Sequence, residues 1–453
     1  MNIYKNCRNP VLPTAMHIPD PEAHVMPDGR VYVYGSWDRH DDSYCSNSYR
    51  VISSADLIDW TDHGISFTSS QVPWLLDPNK KVYPKVDWDW ENPTPFMQGI
   101  INRYLNNEKS ENPVQQPALD TDADHLFAPD AIYKDDKYYL YFCAQDDSEG
   151  VAIAERPEGP FSSPVQLPCG GIDPAVFIDD DGQAYYYWGQ LRASGARLKS
   201  NMTELEEDSI ANRIVTEEEH GFHEGSSVRK RNGIYYYVYS SINSGKATTL
   251  AYATSLSPLG PFTYRGIIID NEGCDPRTWN NHGSIEEVNG KWYVFYHRSS
   301  RNLKNRRRLC IEPIFFTMEG AIPQVAMTSQ GAGLPFRSGE IIDAYRACQL
   351  SGHVFIGPMN GEDEGLKGIG NGDSAIFRYV DWKKPVRTVA IEGAGSGEII
   401  VYLDDKPEEA GRVLFHEGKI ISSSFVSQTG KHEIKLKFFN PCELEIRSIC
   451  FSC

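Results

Sequence analysis

Five segments of the chain share one pattern, a polar turn followed by an aromatic-rich strand, and this repeat limits the possible folds more than any other feature. The segments are PDGRVYVYGS (27–36), KDDKYYLYFCA (134–144), DDDGQAYYYWG (179–189), KRNGIYYYVYS (230–240) and NGKWYVFYH (289–297). Asp-Gly and Asn-Gly before aromatic or β-branched runs are hairpin signals. The last three strands begin at residues 184, 234 and 291, and a spacing of roughly 50 residues is typical of a four-stranded propeller blade. The repeat therefore predicts an all-β fold with a five-bladed β-propeller.

A generic β-sandwich is the alternative interpretation of these strands. Sandwich strands recur every ~8–12 residues without a longer period, so the longer repeat favours the propeller. The first two repeats are twice as far apart as the others, and the segment 77–120 between them is rich in Trp, Pro and Asn. We predict that this segment is a loop inserted over one face. Helical periodicity is scarce, and 202–219 is the one weak helix candidate.

The composition of the chain changes near residues 325–340. The segment TSQGAGLPFRSG (328–339) is rich in Gly, Ser and Pro, which is typical of a linker. About 115 residues of short strands follow it, and their spacing predicts a β-sandwich of the jelly-roll kind. The predicted domains are a propeller over 1–330 and a sandwich over 331–453. Because the linker is short, the sandwich is expected to pack against the propeller.

Charge and composition exclude several classes of partner. The 453 residues include 62 acidic and 44 basic side chains, a formal net charge of −18. Such a chain repels polyphosphate, so neither nucleic acid nor an anionic membrane is an expected partner. The first ten residues lack the apolar core of a secretion signal, and the ten cysteines are scattered. Both features indicate a cytoplasmic protein with reduced thiols.

Three short motifs each place one carboxylate at the same phase of the repeat, at the entry to the innermost strand of a blade. They are IPDPEAHV (18–25), GIDPAVF (171–177) and FHEGSSV (222–228), with Asp20, Asp173 and Glu224 as the carboxylates. The innermost strands of a propeller all line its central channel, so these positions converge there. Proline follows both Asp20 and Asp173, which predicts extended backbone at the two aspartates.

Converging carboxylates are suited to glycoside hydrolysis. One donates a proton to the leaving oxygen, and a second activates water or attacks the sugar. A third carboxylate nearby can raise the pKa of the acid by charge repulsion. The alternative is that each Asp-Pro is only a turn former. The denser acidic run at 179–182 illustrates that alternative, because it is predicted to be a solvated hairpin turn.

The sequence resembles glycoside hydrolase family 43, the five-bladed propeller arabinofuranosidases and β-xylosidases. The resemblance lies in the segments DPEAHVMPDGRVYVYGSWD (20–38), FAPDAIYKDDKYYLYF (127–142), GIDPAVFIDDDGQAYYYWG (171–189), HEGSSVRKRNGIYYYVYS (223–240) and NHGSIEEVNGKWYVFYHRS (281–299). It implies an inverting enzyme with Asp20 as general base, Glu224 as general acid, and Asp173 as pKa modulator and orienting residue. Asp173 is then expected to be ionised and to keep the proton on Glu224.

The same resemblance implies further site residues. His282 matches a family histidine beside a hydrated metal ion, often calcium, although an isolated histidine is usually structural. Arg307 matches an arginine that reaches the hydroxyls of the bound sugar, and the alternative is a solvated basic turn. His24 and Trp37 are candidates for the sugar pocket, with a purely structural role as the alternative for both.

The C-terminal region resembles carbohydrate-binding module family 6 in GIGNGDSAIFRYVDW (368–382), SGEIIVYLDD (396–405) and VSQTGKHEIKLKFF (426–439). Such modules bind sugar through paired aromatic residues, and the alternative is a sandwich that only braces the propeller.

The function that these features favour is that of an exo-acting glycosidase. We expect it to remove terminal α-L-arabinofuranose from arabinoxylan-derived oligosaccharides, with β-xylosidase activity as the alternative within the enzyme class. A non-catalytic carbohydrate-binding propeller is the alternative outside it, but a lectin needs no proton donor. A propeller that binds other proteins is a further alternative, but it would not need three carboxylates that converge in its channel. The linkage position and the oligomeric state are left open by the sequence.

Overall fold

The computed structural model describes residues 2–83, 89, 91–108, 125–242, 245–359, 363–416 and 421–453. Its sheets confirm the predicted fold class, an all-β chain with a five-bladed propeller followed by a sandwich. The first blade contains β1 (Asn2–Lys5), β2 (Glu22–Val25), β3 (Val31–Gly35), β4 (Ser48–Ser54) and β5 (Asp59–Thr68). The second contains β6 (Asp130–Lys134), β7 (Lys137–Cys143), β8 (Ser148–Ala154) and β9 (Ser162–Gly170).

The remaining three blades follow the same antiparallel order. The third contains β10 (Ala175–Ile178), β11 (Ala184–Trp188), β12 (Arg192–Arg197) and β13 (Ala211–Thr216). The fourth contains β14 (Phe222–Arg231), β15 (Ile234–Ser241), β16 (Thr249–Ser255) and β17 (Thr263–Asp270). The fifth contains β18 (Ser284–Val288), β19 (Lys291–Ser300) and β20 (Leu303–Ile314).

The aromatic strand of each repeat is the second strand of its blade, and both of its faces are buried. In β11, Tyr186 and Trp188 pack toward Tyr141 of the second blade, while Tyr187 packs toward Tyr237 of the fourth. Successive side chains of a strand point to opposite faces. A strand between two other blades therefore needs apolar residues at every position, which explains the uninterrupted aromatic runs.

The ring of blades is closed by residues near the N-terminus. The amide of Val11 donates to the carbonyl of Leu309, at 3.0 Å. The Asn9 side chain donates to the carbonyl of Ile311 at 3.1 Å and accepts from its amide at 2.8 Å. These bonds cover the outer edge of β20, so the three-stranded fifth blade does not end in an open edge there.

Helices are few, as predicted, but the longest of the described helices does not lie where the sequence placed one. A 14-residue helix, α1 (Pro95–Glu108), lies in the segment predicted to be an inserted loop; residues 84–88, 90 and 109–120 of that segment lie outside the described residues. The weak candidate at 202–219 contains only a 3₁₀ turn (Glu207–Ser209) and the start of the four-residue α2 (Glu217–His220). Other 3₁₀ turns are Ser69–Gln71, Pro73–Leu76 and Ala344–Arg346. No described helix has the length and apolar character needed to cross a membrane.

The C-terminal strands form one nine-stranded antiparallel sheet around a separate core. They are β21 (Ile341–Asp343), β22 (Gln349–Ser351), β23 (Phe355–Pro358), β24 (Glu364–Lys367), β25 (Ser374–Trp382), β26 (Thr388–Leu403), β27 (Glu409–His416), β28 (Ile421–Ser424) and β29 (Gly430–Ser452). The two long strands, β26 and β29, pair along most of their length and shift register near residue 393. Such bulges bend a strand, so that one sheet can fold over its own core. The domain boundary at residue 330 stays a prediction.

Contacts join this unit to the propeller, as the short linker predicted. Cys348 and the half-buried Ile376 pack into the core between the fourth and fifth blades. The amide of Leu350 donates to the carbonyl of Gly273 at 2.6 Å. The Glu364 carboxylate, 1% exposed, binds Arg301 at 2.8 Å and also binds Arg308. A buried ion pair therefore lies at the interface.

Candidate active site

A cavity of about 390 Å³ opens at the end of the channel where the first strands of the blades begin. All three predicted catalytic residues and two other predicted site residues face it. Its lining consists of Asp20, Tyr44, Cys45, Phe96, Ile100, Phe127, Ala128, Ile172, Asp173, Gln190, His223, Glu224, Trp279, Asn280, His282 and Arg307. The sequence placed Asp20, Asp173 and Glu224 at equivalent positions of their blades, and the three side chains do meet at one cavity.

The backbone at Asp20 and Asp173 differs from the sequence prediction. Both residues have φ of +54°, which is the left-handed region and not the extended conformation that a following proline favours. Aspartate tolerates this region better than most residues, and strain of this kind of order 1–2 kcal/mol collects at functional sites. Neighbouring groups hold the backbone: the Asp20 amide lies 3.4 Å from His297 Nδ1, and the Asp173 amide donates to Cys143 Sγ at 3.3 Å. Blades one and three thus present their carboxylates in the same way.

Asp20 is buried but surrounded by groups that favour its charge. Burial opposes ionisation, yet Arg307, a hydrogen bond from His297 and the nearby His282 together hold the pKa of the carboxyl well below its usual range. Arg307 Nη1 donates to Asp20 Oδ1 at 2.7 Å, and the Cys45 thiol lies 3.9 Å from Oδ2. Asp20 is therefore a carboxylate at all ordinary pH values, which a general base requires.

Arg307 is itself held by a second buried carboxylate, Asp38. The guanidinium donates to Asp38 through Nε and Nη2, both at 2.9 Å, and the Arg307 amide donates to it at 3.0 Å. Bidentate pairs of this kind fix both the position and the orientation of an arginine. Of the two interpretations of Arg307, the solvated basic turn is wrong, because the side chain is 3% exposed. Its guanidinium contacts the candidate base Asp20 and the second carboxylate, Asp38.

Asp173 and Glu224 form an electrostatically linked pair. Burial raises the pKa of Asp173 well above its usual range, and the charges of Glu224 and Asp20 act in the same direction. The expectation that an ionised Asp173 keeps the proton on Glu224 stays a prediction, and the burial of Asp173 acts against its ionisation. Asp173 is also the more deeply buried of the two carboxyl groups.

Glu224 lies at a bulge in β14, where the register with β15 shifts on both sides of it. Its Oε2 accepts from Gln190 Nε2 at 2.9 Å and lies 3.7 Å from His223 Nε2. The following residue, Gly225, has φ of +78°, and a Cβ there would lie 3.0 Å from the His282 ring. A glycine is therefore needed for Glu224 and His282 to share the channel.

His282 lies below the carboxylates, with Nδ1 3.8 Å from Asp20 Oδ1 and 3.5 Å from Asp173 Oδ2. Burial lowers the pKa of its imidazole, so the ring is neutral and a nitrogen is available as a ligand. Calcium takes six to eight ligands, mostly oxygens. One imidazole with two carboxylates nearby fits a cation that is held mainly through water.

A second group of potential ligands lies deeper in the channel and does not fit a metal ion. Ligand atoms of Glu22, His24 and Asp130 lie within 4.8 Å of one another. However, Arg229 Nη2 lies 2.8 Å from Glu22 Oε1 and 3.5 Å from His24 Nε2. The guanidinium already supplies the positive charge that these carboxylates need.

Two predicted sugar-binding residues are not brought to the cavity. His24 Nε2 lies 2.7 Å from Asp130 Oδ1, and His24 lines a separate cavity of about 400 Å³ at the other end of the first strands. Trp37 lies between two arginines, with the guanidinium carbons of Arg39 and Arg50 at 4.6 and 4.7 Å from its ring centroid. For both residues, the observed contacts match a purely structural role.

Several residues of the site were not singled out in the sequence, namely Asp38, Cys45, Gln190, His297 and Phe96. Three of them share a signal: Asp38, Gln190 and His297 stand directly after, or one residue beyond, the end of an aromatic run. Because β2 and β3 are antiparallel, the end of the second strand lies at the same face as the start of the first. A polar residue that ends an aromatic run is therefore a candidate for the site.

Replacing Arg307 with Gln should make the activity more sensitive to acid. The variant lacks the main charge that lowers the pKa of Asp20, while burial, which raises it, remains. A shift of about 1–3 pKa units is typical for such a partner, so the acid limb of kcat/KM should move to higher pH. The control is Arg306→Gln, because Arg306 pairs with Asp41 at 2.5 Å. An unchanged acid limb in Arg307→Gln would contradict the assignment.

A five-bladed propeller whose channel brings together a carboxylate held by an arginine, Asp20, and two further carboxyl groups, Asp173 and Glu224, has the machinery of a glycoside hydrolase. A sequence model of glycosyl hydrolases family 43 matches residues 105–322. A xylosidase/arabinosidase of Thermoclostridium stercorarium is 33% identical over 379 residues, which are 76% of this chain and 72% of the relative. The chain belongs to glycoside hydrolase family 43 and is an enzyme of that class.

Two further proteins show the extent of the similarity. An arabinoxylan arabinofuranohydrolase of Bacillus subtilis (strain 168) is 30% identical over 357 residues, covering 67% of this chain and 61% of that protein. The crystal structure of CoXyl43, a β-xylosidase/α-arabinofuranosidase from a compost metagenome, was determined with xylotriose in a calcium-free form. It superposes with a TM-score of 0.54 at 28% identity, over 72% of this chain and 99% of that one.

Proposed function

We propose that the protein is an inverting, exo-acting glycosidase that releases terminal α-L-arabinofuranosyl groups from arabinoxylan-derived oligosaccharides. The observation that supports this most is the pairing of Asp20, held ionised by Arg307, with Glu224 across the same cavity. Inversion requires one carboxylate as base and one carboxylic acid as proton donor. The names of the relatives, which combine arabinosidase and xylosidase activity, support a pentose as the released sugar.

The proposed reaction is a single displacement. Asp20 removes a proton from a water molecule as the water oxygen attacks the anomeric carbon. The bond to the leaving oxygen breaks on the opposite face, and Glu224 donates its proton to that oxygen. The product sugar has the inverted configuration, Asp20 then releases its proton, and Glu224 is reprotonated. The water between base and sugar requires carboxyl groups about 6.5–9.5 Å apart.

Asp173 and His282 act on these two groups without reacting. Asp173, buried at the same cavity, orients the acid Glu224. His282 would hold a cation, which supplies positive charge that stabilises the ionised carboxylates above it. Calcium is the cation that we propose, on the similarity to CoXyl43, whose structure is described as calcium-free.

A β-xylosidase is the second candidate. The similarity to CoXyl43, solved with xylotriose, and to the Thermoclostridium enzyme favours it to the same degree. The two candidates use the same carboxylates and differ in the sugar that fills the cavity beside Asp20.

The deciding experiment incubates the protein with arabinoxylo-oligosaccharides and with xylobiose, and identifies the free monosaccharide. Early ¹H NMR spectra also give the anomer first released. Arabinose released with inverted configuration supports the first candidate, and xylose alone supports the second. Release of neither sugar, or retained configuration, would overturn the proposed mechanism.

Removing divalent cations should lower both activity and thermal stability. A ligand present at about 100 times its Kd stabilises a fold by about 2.7 kcal/mol, so EDTA should lower Tm, and added calcium should restore it. His282→Gln should no longer respond to either treatment, whereas His24→Gln, at the second ligand group, should respond like the wild type. If EDTA changes neither Tm nor kcat, the proposed calcium role of His282 is wrong.

A further inference from the structure

The helix α1 is attached to the wall of the cavity by its first turn. The Phe96 amide donates to Glu217 Oε1 at 2.8 Å, and Arg192 donates to the carbonyl of Asn92 at 3.1 Å. Met97, completely buried, donates its amide to Thr94 Oγ1 at 3.3 Å. Because Glu217 and Arg192 belong to the third blade and its connection to the fourth, α1 is fixed on that side of the channel.

Two apolar side chains from the first two turns of α1, Phe96 and Ile100, line the cavity. The Phe96 ring packs edge-on against the His223 ring, with centroids 5.0 Å apart and planes at 74°. His223 directly precedes Glu224, and its Nε2 lies 3.7 Å from Glu224 Oε2. Asp20, by contrast, is held from the fifth blade by Arg307. The apolar wall therefore stands beside the residue that precedes the acid, and its attachments are to the third and fourth blades.

The position beside the acid determines which part of a substrate the wall touches. A general acid must reach the oxygen of the leaving group, so residues flanking it contact the leaving group and not the released sugar. Phe96 and Ile100 offer no side-chain hydrogen bond, so they suit the C–H face of a sugar ring. An aromatic ring provides a large, rigid surface for such a face.

We propose that Phe96 and Ile100 form a platform for the leaving-group sugar and make the enzyme selective for an uncharged pyranose ring, such as a xylose unit of the chain, at that position. This inference rests on the proposed function, because it takes Glu224 as the acid. It assigns to α1 a role in substrate selection that differs from the binding of the released pentose.

The test compares a substrate that has a leaving-group ring with one that lacks it. The substrates are xylobiose or an arabinosylated xylo-oligosaccharide and the glycosyl fluoride of the same released sugar. In Phe96→Ala, kcat/KM on the oligosaccharide should fall by about 10- to 100-fold, and the loss on the fluoride should be at least fivefold smaller. The inhibition constant of the free monosaccharide, which fills only the other half of the cavity, should stay unchanged.

The matched control is Gln98→Ala, on the same helix but exposed and bonded to Asn102, which should behave like the wild type on both substrates. Ile100→Ala gives a second measurement if Phe96→Ala is insoluble, and Phe96→Leu should restore part of the loss. Equal losses on oligosaccharide and fluoride, or an equal loss in Gln98→Ala, would overturn the platform. Inactivity of the wild type on both substrates would overturn the proposed function, and the platform with it.

Discussion

Replacing Asp20 with Asn should lower kcat/KM by about 10³- to 10⁴-fold on every substrate, because the attacking water loses its base. Replacing Glu224 with Gln should have a different effect. On natural oligosaccharides the loss should be about 10²- to 10⁴-fold, but on aryl glycosides it should be at least tenfold smaller, since a good leaving group needs little protonation. Steady-state kinetics on a series of aryl leaving groups measures both effects.

The control for both variants is Asp180→Asn, in the acidic turn predicted to be solvated. The Asp180 side chain is 86% exposed, so the variant should retain wild-type kinetics. Two results would contradict the assigned roles: equal impairment of Glu224→Gln on both substrate types, or rescue of Asp20→Ala by azide with retained configuration. The second would indicate a retaining mechanism, because azide gives a product of retained configuration only when it attacks a covalent glycosyl-enzyme intermediate.

Replacing Glu364 with Ala should lower the free energy of unfolding by about 3–5 kcal/mol, the typical cost of breaking a buried ion pair. The variant leaves Arg308, 2% exposed, and Arg301 without their carboxylate. Within the described residues, Arg308 Nε and Nη1 already have no hydrogen-bond partner, so no other group compensates. Denaturant unfolding followed by fluorescence measures the change.

This substitution should also affect catalysis, because Arg308 directly follows Arg307 in β20. A shift of β20 moves the guanidinium that holds Asp20, so kcat/KM should fall together with stability. The matched control is Glu340→Ala, which removes the partner of Arg8, at 2.7 Å, in a pair that is 21% and 38% exposed. Its cost should be at most about 1 kcal/mol. Equal destabilisation by the two variants would contradict the prediction that the buried ion pair contributes more to stability than the exposed one.

The sequence predicts the propeller well because its repeat is a direct result of packing. Strands such as β11 lie between two blades, so both of their faces are apolar and the pattern is visible without any knowledge of the fold. The three carboxylates were found for the same reason, since each occupies the same phase of a repeat. The helix α1 was missed because it lies outside the repeat. Thr94 before Pro95 is a helix-start signal that could have indicated it.

Side-chain roles within the site were harder to predict, because they depend on neighbours from distant parts of the chain. Arg307 was assigned to the substrate, yet Asp38 and Asp20, from another blade, bind it. His24 lies on the channel-facing strand as predicted, but it is deeper than the sugar pocket and meets Asp130. The difference in burial between Asp173 and Glu224 has no signature in sequence, because it depends on the surrounding blades.

The closure of the ring by Asn9 and Val11 has a consequence for biosynthesis. Asn9 and its partner Ile311 are 302 positions apart in the sequence, and a ribosome delivers them at very different times. Blades two to four each consist of four consecutive strands, so each can assemble as it leaves the exit tunnel. The fifth blade cannot be completed until β20 has emerged from the ribosome. Only then can β20 bind the N-terminal residues Asn9 and Val11, which were synthesised early in translation. The junction between first and fifth blades should therefore form last, and a nascent chain halted before β20 should expose this edge to chaperones.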